Sequence, residues 1–104
     1  MNRGEVWWAD EPEVGRRPYL ILTRDAAIAV LNGVITVPAT RSVRGIPTEV
    51  ALGPDDGMPE SCALTLDNIT VLPKGYFVER ITTLGPGTMD RVCRALAAAT
   101  ACRG

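Results

Sequence analysis

The chain has 104 residues, a net charge of −1, and 46 % apolar against 22 % charged residues. That balance excludes a disordered chain and a generally basic nucleic-acid coat protein. The length predicts one domain, 1–104, with a small core, a size at which chains often pair with a second copy.

With no histidine anywhere, a metal site would need carboxylates alone, and no acidic cluster in the sequence suggests one; no metal and no cofactor is expected. Cys62, Cys93 and Cys102 form no C-x-x-C pair and read as reduced thiols. No apolar run is long enough for a membrane span, and the start MNRGEV lacks a signal-peptide core. The expected location is the cytoplasm, away from membranes.

In chain order, Arg3 to Asp10 alternates as a first strand, with Val6 and Trp8 on one face and Glu5 and Trp7 on the other. Glu11 to Gly15 is a turn. Pro18 opens a second strand, and Tyr19 to Thr23 is nearly continuous apolar sequence, as in a central buried strand. Asp25 is placed to cap a short helix over 26–31, closed by Asn32-Gly33. Val34 to Val37 is the next strand, followed by a polar, basic linker over 42–47.

Thr48 to Leu52 alternates with Val50 and Leu52 inward, and 53–57 is a loop with room for one helical turn. Between Ser61 and Val71 the apolar parity switches at Asp67-Asn68, which predicts a bulge or bend. Pro73 to Tyr76 is a turn and Val78 to Leu84 a strand. Pro86 starts a terminal helix whose apolar stripe is Met89, Val92, Cys93 and Leu96. The order is not βαβ. It predicts a mainly β (α+β) fold, a small antiparallel barrel-like sheet with short helices and a C-terminal helix.

The charge is unevenly spread. From Arg16 to Arg44 five arginines meet one anion, Asp25. Ten of the eleven cations are Arg. A GC-rich gene accounts for an Arg excess throughout a chain, but not for its clustering. Arginines and hydroxyls fall where strands run out into loops, and a site of Arg, Thr and Ser suits a phosphodiester backbone. Arg16, Arg41, Ser42 and Arg44 are therefore candidate RNA-binding residues, or else a solvated basic loop. Asp67 and Asn68 are placed either to read base edges or to form an Asx turn. One tryptophan belongs to the core; the other is assigned first to a dimer interface, with base stacking as the alternative.

RGEVWWAD, RRPYLILTR, VPATRSVRGIPTEVAL and SCALTLDNITVLPK, taken in that order with the Met89 helix, resemble the MazF/PemK family of toxin endoribonucleases over nearly the whole chain. The family shares its SH3-like barrel with the CcdB toxins. The resemblance implies a type II toxin that cleaves single-stranded RNA selectively and without a metal. It implies a homodimer restrained by a MazE-like antitoxin, and products with 2′,3′-cyclic phosphate and 5′-hydroxyl ends.

The resemblance also places the catalytic arginine on Arg17 and the catalytic threonine on Thr40. Alone, those two read as a strand-end salt bridge and a turn cap. The chain departs from the family between its first two strands, where only EPEVGR separates Asp10 from Arg17. That shortening bears on substrate preference, with Glu13 the nearest candidate for the missing acidic residue. The alternative is a CcdB-like toxin that binds a topoisomerase and cleaves nothing.

Overall fold

The computed structural model describes residues 1–102. Its strands are β1 (Glu5–Glu11), β2 (Gly15–Ile21), β3 (Gly33–Thr40), β4 (Glu49–Leu52), β5 (Cys62–Thr65), β6 (Thr70–Pro73) and β7 (Phe77–Thr83). Its helices are α1 (Asp25–Ile28) and α2 (Pro86–Thr100), with single 3-10 turns at Pro54–Asp56, Leu66–Asn68 and Lys74–Tyr76. Every pairing is antiparallel, in the order β4-β5-β3-β2-β1-β7, with β6 also on β3. This is the mainly β sheet with a terminal helix that the sequence predicts.

β3 organises the sheet. Its first half pairs with β6 and its last two residues pair with β5. The two partners are joined by the 3-10 turn Leu66–Asn68, which is the bend that the parity switch predicts. The turn redirects the chain while Leu66 stays buried and its amide bonds to the Thr48 carbonyl at 2.9 Å.

One face of the sheet buries Val6, Leu20, Val37, Val50, Leu52, Leu64 and Leu66 against Val92 and Ala95 of α2. Each large side chain fully buried there contributes about 1.5–3 kcal/mol. The other face carries Ile21, Val34 and Ile28, with Trp7 and Phe77 packed on them. Trp7 and Glu5 share that face as expected, and the Trp7 indole N–H donates to Glu5 Oε1 at 2.9 Å. Burial pushes the Glu5 carboxyl up, but that bond, the Asn2 amide, the N-terminal charge and Arg80 outweigh it and hold the group below its ordinary range.

Several boundaries differ from those expected. β2 begins three residues before Pro18. Residues 15–18 pair only with β1, so the missing N–H of Pro18 costs no bond to β3. β3 runs on through Pro38 and Ala39 to Thr40, because β5 supplies partners that local sequence does not reveal. Helix α1 is a single turn. Asp25 lies inside it rather than capping it, its carboxylate engaged by the Arg3 amide at 2.7 Å. On α2, Cys93 is exposed beside the Arg3 guanidinium, and Ala95 is buried, with Val92, in the stripe facing the core.

Candidate functional site

The register between β2 and β3 bears on two candidate side chains, Arg17 and Thr40. Tyr19 pairs with Pro38, Leu20 with Val37 and Ile21 with Thr36. Continued by two residues, the same register brings Arg17 opposite Thr40. The paired ladder itself ends at Tyr19 and Pro38, and beyond that end Arg17 and Thr40 both line a groove of about 540 Å³.

Its walls include Arg16, Arg17 and Pro18 from β2, Thr40 from β3, and Arg41, Ser42 and Arg44 from the basic linker. Asn68 joins from the 3-10 turn. Asp67 does not. That turn sends its side chain the other way, where Oδ2 accepts the Thr48 hydroxyl at 2.6 Å. Of the Asp67-Asn68 pair, only Asn68 lines the groove, while Asp67 is a partner of Thr48.

The four arginines differ in their commitments. Arg16 pairs with Glu79 at 3.3 Å, Arg41 with Glu60 at 3.3 Å and Arg44 with Glu49 at 3.5 Å. Among the described residues, Arg17 makes no side-chain hydrogen bond or ion pair. Its fork of N–H donors is open to an anion in the groove.

Thr40 is oriented by its own turn. Its hydroxyl oxygen accepts the Ser42 amide at 3.2 Å, which leaves the hydroxyl proton for another acceptor. Tyr19, between Leu20 and Pro18, donates to Glu11 Oε2 at 2.6 Å. Burial, helped by that bond and the Glu11 charge and opposed by Arg17, pushes its hydroxyl up to about 12, so it remains a donor at neutral pH.

The basic linker has no helix or strand of its own, yet it is tethered. Glu49, whose side chain is only 4 % exposed, accepts the Arg44 amide at 2.9 Å and the Gly45 amide at 3.0 Å through one oxygen. Its other oxygen has no hydrogen bond and faces the Arg44 guanidinium. Gly45 turns the chain at φ 68°, a region that favours glycine. Burial pushes the Glu49 carboxyl up, but the two amides and Arg44 outweigh it and hold it below the ordinary carboxylate range.

Five lining residues around β5 escape local sequence reasoning: Met58, Pro59, Glu60, Cys62 and Thr65. They reach the groove because β5 pairs with the end of β3. Trp8 lines it too, and the sequence leaves open which tryptophan stands outside the core, with a dimer interface first and base stacking as the alternative for that one. Burial, with the charges of Asp56 and Glu60, pushes the Cys62 thiol up, which makes it a poor nucleophile. Among the described residues no group of three or more His, Cys, Asp or Glu comes together as a metal site. No helix of the described chain is long and apolar enough to cross a membrane.

Residues 2–100 match the family model described as PemK-like, MazF-like toxin of type II toxin-antitoxin system. The chain is 40 % identical over 101 residues to the probable endoribonuclease MazF5 of Mycobacterium tuberculosis, covering 96 % of this chain and 93 % of that one. It is 40 % identical over 103 residues to the probable endoribonuclease MazF2 of the same species, covering 98 % and 100 %.

A solved structure of an endoribonuclease in complex with its cognate antitoxin, from a mycobacterial species, superimposes with a TM-score of 0.90. Identity there is 31 %, over 100 % of this chain and 98 % of that chain. A forked β2–β3 pair with arginines at its mouth, a sheet backed by a terminal helix and similarity over almost the full length lead to one assignment: the chain belongs to the PemK-like, MazF-like toxins of type II toxin–antitoxin systems.

Proposed function

We propose that this MazF-like toxin endoribonuclease cuts single-stranded RNA by activating the RNA's own 2′-hydroxyl, without a metal. The observation that carries the reading is the juxtaposition of an uncommitted Arg17 with a Thr40 hydroxyl whose proton is free, across the mouth of one groove.

Arg17 donates to the non-bridging oxygens of the scissile phosphate and neutralises the charge that builds on the phosphorane. Thr40 donates to the same phosphate. The new bond joins the 2′-oxygen to phosphorus as the bond to the 5′-oxygen breaks. Arg17 titrates too high to exchange protons readily at neutral pH. The 2′-hydroxyl proton therefore leaves to water, and the 5′-oxygen takes one from water. The products are a 2′,3′-cyclic phosphate and a 5′-hydroxyl.

Arg16, Arg41, Ser42, Arg44 and Asn68 hold the strand, largely through its backbone. Single strands fit because their bases splay and their phosphates enter a groove between strands. Messenger RNA and the loops of tRNA or rRNA all offer such segments, and the cytoplasm is where the enzyme meets them. The relative solved with its cognate antitoxin supports a MazE-like partner here, and the groove's arginines favour an acidic segment of it. A homodimer is part of the same reading. The CcdB-like alternative has no comparable support, since a topoisomerase inhibitor needs no paired Arg17 and Thr40.

The test is to incubate purified protein with a long single-stranded RNA in EDTA and map the new 5′ ends. Discrete cuts at a repeated short sequence, absent with Arg17→Ala, are expected. Intact RNA in every preparation, including total cellular RNA, would sink the reading.

A further inference from the structure

Trp8 is the one aromatic residue in the wall of the groove. It is partly exposed, although β1 is a central strand with β2 on one side and β7 on the other. Its register partners explain what surrounds it. Trp8 pairs with Pro18 on β2 and with Glu79 on β7, and Arg17 pairs with the next residue, Ala9. Trp8 and Arg17 sit one strand step apart, about 3.4 Å of backbone, with their side chains leaving opposite faces of the strand pair, and both line the groove assigned to the scissile phosphate.

The outer face of the ring is occupied by a cation. The Arg16 guanidinium carbon lies 5.6 Å from the ring centroid, and Glu79, the cross-strand neighbour of Trp8, holds that guanidinium at 3.3 Å. Both partners of the ion pair are exposed, 49 % for Arg16 and 67 % for Glu79, so water screens the pair and little is lost when it opens. A cation over an exposed indole is held less tightly than a stacked nucleobase. Arg16 thus covers the ring with something that RNA displaces, and the displaced group is itself a phosphate ligand.

We propose that Trp8 is the stacking platform for the nucleobase next to the scissile phosphate. Arg16 covers it in the free protein and moves onto the RNA backbone when the base arrives. The proposal rests on the ribonuclease reading above and adds a base-binding subsite to it. A ring face accepts every base, so this subsite supplies affinity and alignment, while hydrogen-bonding groups elsewhere set the sequence.

The probe is a fluorescein-labelled oligonucleotide carrying the mapped cleavage sequence, with 2′-deoxyribose at the attacked nucleotide. Trp8→Leu keeps an apolar side chain but removes the π face; Trp8→Phe keeps a face. Trp8→Leu should weaken binding roughly 5- to 150-fold, the range found for one stacked base. Trp8→Phe should stay within about threefold, because it preserves stacking. Making the flanking nucleotide abasic should weaken wild-type binding by a similar factor and leave Trp8→Leu nearly unaffected. Arg16→Gln should keep the abasic penalty while lowering the salt slope by about 0.7, the value for one phosphate contact on a single strand.

Wild-type affinity in Trp8→Leu, an abasic penalty that persists in it, or an equal loss in Trp8→Phe would overturn the stacking role. Wild-type protein that neither binds nor cuts the strand overturns the ribonuclease reading itself, and this inference with it.

Discussion

The groove has two walls built on different principles. One is strand-borne: Arg17 and Thr40 sit on β2 and β3, at the end of a ladder whose next residues, Tyr19 and Leu20, are buried. The other is the linker over 41–47, which has no ladder and is shaped by one carboxylate, Glu49, on two amides. Groups that must meet a phosphorane gain from the rigidity of the first wall. Groups that follow a flexible RNA backbone tolerate the second. The ion pairs cut across this division, because Arg16 on β2 is paired like the linker's Arg41 and Arg44, while Arg17 is open.

Substitutions should separate the two walls, beginning with the strand-borne one. Arg17→Ala should lower the cleavage rate on the order of 10²–10³-fold, as for one lost oxyanion-type donor. Among the described residues Arg17 makes no side-chain hydrogen bond or ion pair, so the thermal midpoint of the variant should hardly move. Single-turnover kinetics beside a melting curve check both halves. Thr40→Val keeps the shape and deletes the hydroxyl. It should cost about 10- to 100-fold in rate, the worth of a hydrogen bond to a charged group, and a rate equal to wild type would remove Thr40 from the chemistry.

Glu49→Ala tests the linker wall. The Arg44 and Gly45 amides lose their acceptor, and the whole segment loses its shape. About a 10-fold rise in KM with a smaller change in kcat is expected, since positioning suffers before chemistry.

The same carboxylate gives a pH dependence. Its pKa is depressed in the folded chain, so the stability it contributes is full above the ordinary carboxylate value of 4.5 and is lost as pH falls below that value. Acidification through this window should lower the melting temperature of wild type more than that of Glu49→Ala. An identical acid slope in both would show that Glu49 is not the anchor.

The smallest effect concerns Glu60, the carboxylate in the groove wall, paired with the exposed Arg41. Glu60→Gln removes a charge that repels RNA and frees the arginine. Binding should tighten about two- to fivefold at low salt, the scale of an exposed ion pair, and the gain should vanish at high salt. Weaker binding would mean that Glu60 contacts the RNA favourably.

The legible parts of this molecule are those whose signal is local. The buried Tyr19–Thr23 run, the inward Val50 and Leu52, the bend at Asp67-Asn68 and the Pro86 helix start can all be read from neighbouring residues. The arginines and Thr40 stand out locally because they are at strand ends, but only the family resemblance gives Arg17 and Thr40 a catalytic role.

What the sequence hides depends on pairing over distance. β3 reaches Thr40 only because β5, more than 20 residues later, pairs with its end. The same pairing brings Glu60 and Cys62 to the groove. Asp67 and Asn68 are neighbours, yet a 3-10 turn sends one to Thr48 and the other to the groove, a split that no periodicity encodes. Cys93 fits the helical stripe by spacing, but it falls at the edge of the α2 face where the core ends.

The most direct test of the central claim is cleavage of two matched oligonucleotides in EDTA, one all-ribose and one with a single 2′-deoxyribose at the attacked nucleotide. The account predicts that the first is cut to a 2′,3′-cyclic phosphate and a 5′-hydroxyl, while the second binds equally well and stays intact. Cutting of the deoxy strand at a comparable rate would contradict it, because the attacking oxygen would then come from somewhere other than the RNA.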